Sequence, residues 1–225
     1  MIEPLACIVP ALNAAPSLPK VIAGLRTSVP SAFIIGVDDG STDDTRTIMQ
    51  STCDLVLIHE VNQGKGAVLK LAFKEVLARG FAATLTIDSD GQHDPAYAKP
   101  IAEALDNFDV VVGVRRREGT KMPLHRRVSN AISTRAISLC AGCSIEDAQS
   151  GYRAMRADVL KRVNPPGTRY EYETAFLIQA ARAGFRLGGV PIPTIYGAPS
   201  YFREFEDAAR IVKTIWNNRP GTYRG

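Results

Sequence analysis

The chain has 225 residues, 45% of them apolar and 22% charged, with 18 Gly, 14 Pro and a formal net charge of +4. That length and composition let a chain bury roughly 70% of its unfolded surface without disulfide staples, and they exclude disordered, collagen-like and coiled-coil classes. No apolar run approaches the roughly 18 residues of a membrane helix, and Glu3 without a basic start argues against a secretory leader, so a cytosolic chain is expected.

Short β-branched apolar runs alternate with helix-period segments. Strands are predicted at 5–9, 33–37, 55–58, 84–87 and 110–113, with helices at 18–27, 43–50, 64–79 and 96–107 between them. In the 64–79 segment Val68, Leu69, Ala72, Phe73, Val76 and Leu77 form one apolar stripe. This order predicts an α/β fold, a Rossmann-like domain with a mainly parallel central sheet flanked by helices. Ligands of such sheets bind beyond the carboxyl ends of the strands. After Gly113 come helices near 127–140, 158–163 and 171–183, and a strand near 186–190. A tail follows in which Phe202, Phe205, Ala209, Val212 and Trp216 recur at helical spacing. Packing on the domain's own core is expected of that helix, with membrane-surface contact as the alternative. With no linker or repeat, residues 1–225 read as a single domain. Its nucleotide-binding half would run to about residue 115, its acceptor half from 116 to about 200, and its amphipathic tail from 201 to 225.

The charge is local. From Gly113 to Ala136 the chain carries a net +6, so the other 201 residues sum to −2. A local basic run fits a phosphate-rich ligand or an anionic membrane, and no nucleic-acid signature accompanies it. Cys7 and Cys53 fall in strand-like segments, and Cys140-Ala-Gly-Cys143 has no second ligand pair, so structural thiols are expected.

Two strand ends carry carboxylates. The second ends in Asp38-Asp39-Gly40-Ser41, where capping accounts for Ser41 to Asp44 but not for the earlier pair, making Asp38 and Asp39 candidates for a nucleotide base or ribose. The fourth ends in Asp88-Ser89-Asp90-Gly91-Gln92-His93-Asp94-Pro95. Residues two apart in extended chain share a side, so Asp88 and Asp90 converge, with Gln92 on the same alternation. Such oxygen ligands suit Mg²⁺ or Mn²⁺ completed by substrate phosphates. Asp94 before Pro95 reads as a cap. Asn62-Gln63-Gly64-Lys65-Gly66 opens the third helix, where Lys65 lies near an anion-favouring N-terminus. It is neither a Walker loop nor a dinucleotide fingerprint.

Pro10-Ala-Leu-Asn13, VDDGSTDDT at 37–45, NQGKG at 62–66, DSDGQHDP at 88–95, GVR at 113–115 and DAQSGYR at 147–153 follow in one order. Together they resemble glycosyltransferase family 2, of GT-A fold, and most of all its dolichyl-phosphate mannose synthase and polyprenyl-phosphate glycosyltransferase branch. The resemblance implies a nucleotide pocket at Pro10, Leu12, Val37 and Asp39, and a DxD motif at Asp88, Ser89 and Asp90. It implies metal ligation by Asp90 and Gln92 beside Asp88, and an arginine for the diphosphate or acceptor phosphate at Arg115. A second arginine on the following loop would be Arg126 or Arg127. Leu12 and Ala14 replace the family's Tyr and Glu, which leaves the base open. The family's late Gly-x-Ser-Lys becomes Gly197-Ala-Pro-Ser200-Tyr201, with Arg203 nearest in charge.

The implied reaction displaces a nucleoside diphosphate from the anomeric carbon of a GDP- or UDP-sugar, usually with inversion. A lipid phosphate acceptor is already anionic and needs positioning by cations. A hydroxyl acceptor needs a general base, for which Asp147 is the candidate. The catalytic group is thus expected to be Asp90, Asp147, Arg115 and Arg127. The acceptor would bring the protein to the inner membrane face, alone or with a membrane-protein partner. A nucleotidyltransferase and a nucleotide-sugar-binding module without turnover are the readings from other classes.

Overall fold

The computed structural model describes residues 1–116, 124–193, 195 and 204–219, of which 124–130, 204 and 205 are described by their main chain alone. Arg117, Lys121, Ser200, Tyr201, Phe202 and Arg203 lie outside the described residues, as do the side chains of Arg126, Arg127 and Phe205.

The first half alternates strand and helix as its periodicity requires: β1 (Leu5–Ala11), α1 (Leu18–Ser28), β2 (Phe33–Asp39), α2 (Thr45–Thr52), β3 (Leu55–His59), α3 (Lys65–Ala78) and β4 (Ala83–Thr86). Then come α4 (Ala98–Glu103), β5 (Val110–Arg115), α5 (Leu124–Ala141), β6 (Arg153–Arg156), α6 (Ala157–Arg162), α7 (Glu171–Arg182), β7 (Leu187–Ile192) and α8 (Glu204–Asn217). The strands form one sheet in the order β3-β2-β1-β4-β6-β5-β7. Only β6 runs antiparallel to its neighbours. The chain passes from β1 to β2 on one side and returns to β4 on the other, which opens a crevice at the β1/β4 switch point.

Alternate residues of each strand serve two cores. On β1, Ala6 and Ile8 join Ile35, Val68, Ala72, Val76 and Phe176 on one face. Leu5, Cys7, Val9 and Ala11 join Leu18, Ile22, Leu25, Ile34 and Ile101 on the other. A strand buried on both faces reads as the continuous apolar run seen in the sequence. Each fully buried Leu, Ile or Val contributes about 1.5–3 kcal/mol. The α3 stripe is buried as its spacing demands, from Val68 to Val76.

Three expectations need correction, and one strand is new. The helix expected over 96–107 is a 3-10 turn at Pro95–Tyr97, a short α4 and a second 3-10 turn at Ala104–Asp106. Pro100 has no N–H and its ring opposes the carbonyl of Ala96, so no α-ladder runs through from residue 96. Strand β6 was not foreseen. Cys53 caps the C-terminus of α2 rather than lying in a strand, its N–H donating to the Met49 carbonyl at 2.8 Å. All four cysteines are free thiols, and burial pushes Cys7 up to about 12 and Cys53 to about 11. Helix α8 packs on α7 and α5, but through Asp207 and Ile211, leaving Val212 and Trp216 of the expected stripe exposed.

Candidate active site

Because β6 is antiparallel, the loop that leads into it meets the carboxyl ends of its parallel neighbours. The motifs at 38–45, 62–66, 88–95 and 147–153, dispersed in sequence, therefore share one edge of the sheet.

At the end of β2, successive side chains point to opposite faces, and Asp38 and Asp39 part accordingly. Asp38 is wholly buried. It accepts hydrogen bonds from the Ser41 N–H at 3.0 Å and from Arg46 Nε at 2.9 Å. Asp39 accepts from the N–H groups of Gln63 and Gly64, each at 2.9 Å, and lies 2.8 Å from His59 Nδ1. Both carboxylates thus knit the motif loops together, and Asp38 closes its own turn rather than facing a ligand. Gly40, at φ +80°, makes the approach possible, since a Cβ there would lie 2.9 Å from the Asn62 nitrogen. Asn13, at φ 48°, locks the loop after β1 onto the same turn, accepting from the Thr42 N–H at 2.8 Å. Pro10 and Leu12 are half-buried beside it. Val37 has no exposed surface. Its side chain is part of the core, so a nucleotide could meet Val37 only through its main chain.

At the end of β4, Asp88 meets Lys65 with 2.7 Å between Oδ1 and Nζ, and Lys65 also lies 3.1 Å from Glu173 Oε2. Lys65 was expected to face an anion from a helix N-terminus. Instead it is shared by two carboxylates of its own chain. Burial opposes its charge, but Asp88 and Glu173 outweigh that and raise its proton affinity. Burial would likewise raise Asp88, yet the Lys65 charge holds it below the usual carboxylate range. Gly151 closes over the pair: a Cβ there would stand 2.5 Å from both Lys65 Nζ and Asp88 Oδ2. Arg153, buried, donates to the carbonyls of Ala148, Ser150 and Glu173 and so fixes this loop to α7.

Asp90 behaves differently. Burial, and after it the neighbouring Asp88 charge, raises its proton affinity. Its Oδ1 accepts the Gln92 N–H at 2.9 Å. Ser89 is buried, its carbonyl accepting from Ser17 Oγ at 2.6 Å. Asp94 caps the 3-10 turn as foreseen, accepting from the Ala96 N–H. Asp88, Asp90 and Gln92 offer only oxygen to a cation, a donor set that fits Mg²⁺ or Mn²⁺ and not a soft metal. Among the described residues no three His, Cys, Asp or Glu side chains gather closely enough to hold a metal by themselves. A site of this kind relies on substrate phosphates for the rest of the shell.

At the end of β5, Arg115 clamps Asp147 through Nε to Oδ2 at 2.7 Å and Nη2 to Oδ1 at 2.9 Å. Burial raises Asp147, but the Arg115 hydrogen bonds and charge outweigh it and hold the carboxyl below the ordinary range. A carboxylate so held is a weak proton acceptor, which counts against the general-base role expected for it. Sequence reasoning missed Glu173 and the buried His93, whose ring centroid lies 5.4 Å from that of Tyr152. The adjacency of Glu173 to the NQGKG loop appears only once α7 packs on α3.

The glycosyl transferase family 2 model matches residues 6–163. The chain belongs to glycosyltransferase family 2. Undecaprenyl-phosphate mannosyltransferase of Micrococcus luteus is 31% identical over 197 residues, covering 82% of this chain and 81% of that protein. UDP-N-acetylglucosamine–dolichyl-phosphate N-acetylglucosaminyltransferase of Methanococcus voltae is 30% identical over 213 residues, 84% of each. Among solved structures, glucosyl-3-phosphoglycerate synthase of Mycobacterium tuberculosis with Mn²⁺, UDP and glucosyl-3-phosphoglycerate superposes with a TM-score of 0.73 at 22% identity, covering 95% of this chain and 79% of that one. That likeness is one of fold, GT-A. This glycosyltransferase is an enzyme of the hexosyl-transferring class, and among its described residues no helix is long and apolar enough to cross a membrane.

Proposed function

We propose that this family 2 enzyme moves a hexosyl group, with inversion, from a GDP- or UDP-sugar to a polyprenyl phosphate at a membrane surface. The observation that carries the acceptor class is the Arg115–Asp147 clamp. Asp147, the general-base candidate, has its proton affinity lowered by an arginine and is a weak base for a hydroxyl, whereas a phosphate acceptor needs no deprotonation. The named relatives support the same class, since the Micrococcus and Methanococcus proteins act on undecaprenyl and dolichyl phosphates.

In this reading the donor occupies the β1/β4 crevice, between the loop carrying Leu12 and the loop carrying Asp90. Asp39 holds the loop at 62–66 against β2 and so shapes the nucleotide pocket. Asp88, fixed by Lys65, and Asp90 with Gln92 would hold the divalent cation. When bound, that ion offsets charge developing on the leaving diphosphate. Arg115 stands at the end of β5 to orient an incoming phosphate, and the basic segment containing Arg127 lies next in the chain. The residues before Arg115 form the donor half, and those after it the acceptor half.

The test is incubation with UDP- and GDP-hexoses and undecaprenyl phosphate, followed by chromatography of the lipid product. Sugar-lipid formation that stops with EDTA and in Asp90→Ala is expected, with proton NMR of the anomeric centre giving the stereochemistry. Transfer only to hydroxyl acceptors would overturn the acceptor class. Nucleotide-sugar binding without turnover would make the chain a binding module.

A further inference from the structure

Helix α8 is mounted with only part of its apolar stripe inward. Against α7 and α5 it lays Asp207, 2% exposed, and Ile211, with Ile215 half-buried. On the opposite side Ala209, Val212 and Trp216 face solvent, with Val212 and Trp216 keeping 64% and 65% of their surface. An amphipathic helix that seats itself only on its own core buries the whole stripe instead. Cations border the outward stripe. Arg210 and Lys213 are exposed, and the Arg219 guanidinium stacks 4.5 Å from the Trp216 ring centroid. Glu206, in the first turn, is the single exposed acid among its described residues.

The helix cannot readily turn its stripe inward. Arg182 of α7 donates to the Cys140 carbonyl of α5 at 2.8 Å and to the Asn218 carbonyl just past α8. The Cys140 thiol lies 3.5 Å from the Ile215 carbonyl. These contacts make α5, α7 and α8 one body. Helix α5 adds exposed Ile132 and Leu139, two turns apart on one face, with Arg135 exposed between them. Tyr170, whose ring lies 5.8 Å from Lys65 Nζ, feels the Asp207 charge.

We infer that the outward face of α8 is a docking surface for a bilayer with anionic headgroups. This inference rests on the lipid-phosphate reading of the site. Val212 and Trp216 enter the boundary between headgroups and acyl chains, while Arg210, Lys213 and Arg219 meet headgroup phosphates. An apolar stripe with an aromatic at its edge and flanking cations is the pattern such interfacial helices share. The three cations give the surface a sign that an electrically neutral groove would not select.

Trp216 is the one tryptophan in the chain, so its emission reports directly on docking. The full chain is titrated with phosphatidylcholine vesicles, with and without phosphatidylglycerol, and binding is checked by co-sedimentation. Expected are a blue shift and co-sedimentation on the anionic vesicles alone, weakened by salt and by Val212→Glu or Lys213→Glu at least about tenfold. An unshifted spectrum on anionic vesicles, or a Val212→Glu protein that sediments like wild type, would overturn the inference. A concentration-dependent dimer that Val212→Glu dissociates, with no vesicle binding, would give the stripe to a second copy and overturn it too. Transfer is then compared on undecaprenyl phosphate in vesicles and on water-soluble farnesyl phosphate. Val212→Glu is expected to lower the first about tenfold and to leave the second unchanged. If neither lipid phosphate is glycosylated by wild type, the proposed reaction fails, while the vesicle titration still decides the docking surface.

Discussion

Arg115 and Asp147 are joined by two parallel hydrogen bonds, 2.7 and 2.9 Å long, that tie the end of β5 to the loop before β6. Asp147 is 4% exposed in its side chain and Arg115 22%. Asp147→Asn leaves the arginine half of a mostly buried pair without its counter-charge, a change expected to cost about 2–3 kcal/mol at pH 7. The carboxyl is depressed in the folded state, so its contribution is present above the unfolded value of about 3.9 and is lost as pH falls through the lower folded value. Urea unfolding of wild type and variant should therefore differ at pH 7 and converge toward pH 3. If Asp147 were instead the base for a hydroxyl acceptor, Asp147→Asn would remove the acidic limb of the pH–rate profile. Retention of that limb, with a lowered kcat, is the outcome expected here.

Gly151→Ala tests the roof over the Lys65–Asp88 pair. The added methyl would stand 2.5 Å from each charged atom, and the flexible lysine must give way. Stability is expected to change little, because Lys65 can move. Transfer should fall about 100-fold, the scale of an ångström-sized misplacement in a site. Kinetics alongside a melting curve separate the two effects. A fully active Gly151→Ala enzyme would show that Asp88 needs no fixed partner.

The parallel part of the fold was legible because its strands are buried on both faces and its helices carry a single stripe. Strand β6 was not, since Arg153-Ala-Met-Arg156 has no β-branched residue and owes its extension to pairing with β4 and β5. Asp90 and Gln92 became candidates by alternation along one segment. The sharing of Lys65 by Asp88 and Glu173 was not, because the three residues belong to separate segments that only tertiary packing brings together. The apolar stripe of α8 was visible as a pattern, yet periodicity alone cannot say which way a stripe faces. In this chain Asp207 and Ile211 are seated inward, with Arg182 bonded just past the helix end, and that leaves Val212 and Trp216 outward.

His93 supplies a stability signal at acid pH. The residue is 5% exposed, and among the described residues Nδ1 has no hydrogen-bond partner. Burial lowers its pKa to about 4, against the opposing charge of Asp88 and with Arg115 and Lys65 adding to the shift. The unfolded chain binds the extra proton between about pH 6.5 and 4, so stability falls as pH drops through that window. His93→Leu should match wild type within about 1 kcal/mol at pH 7, since the lost group was unpaired. At pH 4.5 it should be the more stable by about 2 kcal/mol. Thermal melts at the two pH values decide, and equal losses in both proteins would assign the acid sensitivity to other groups.

Gly40→Ala addresses the turn that lets Asp39 reach Gln63 and Gly64. A Cβ at φ +80° is strained by about 1–2 kcal/mol. Here it would also press on backbone, the Asn62 nitrogen and the Val61 carbonyl carbon, each at 2.9 Å. Backbone cannot swing aside as a side chain can, so the total is expected to reach about 3 kcal/mol. Gly80 is the internal control, with φ +75° and nothing within 4 Å of its virtual Cβ. Gly80→Ala should cost only the strain, about 1–2 kcal/mol. Urea unfolding of both variants measures the difference, and calorimetry with UDP or GDP reads its consequence, because a displaced 62–66 loop removes the wall that Asp39 holds. Equal losses in the two alanine variants, with nucleotide binding intact in both, would show that the β2 turn and the loop after β3 do not depend on their close approach.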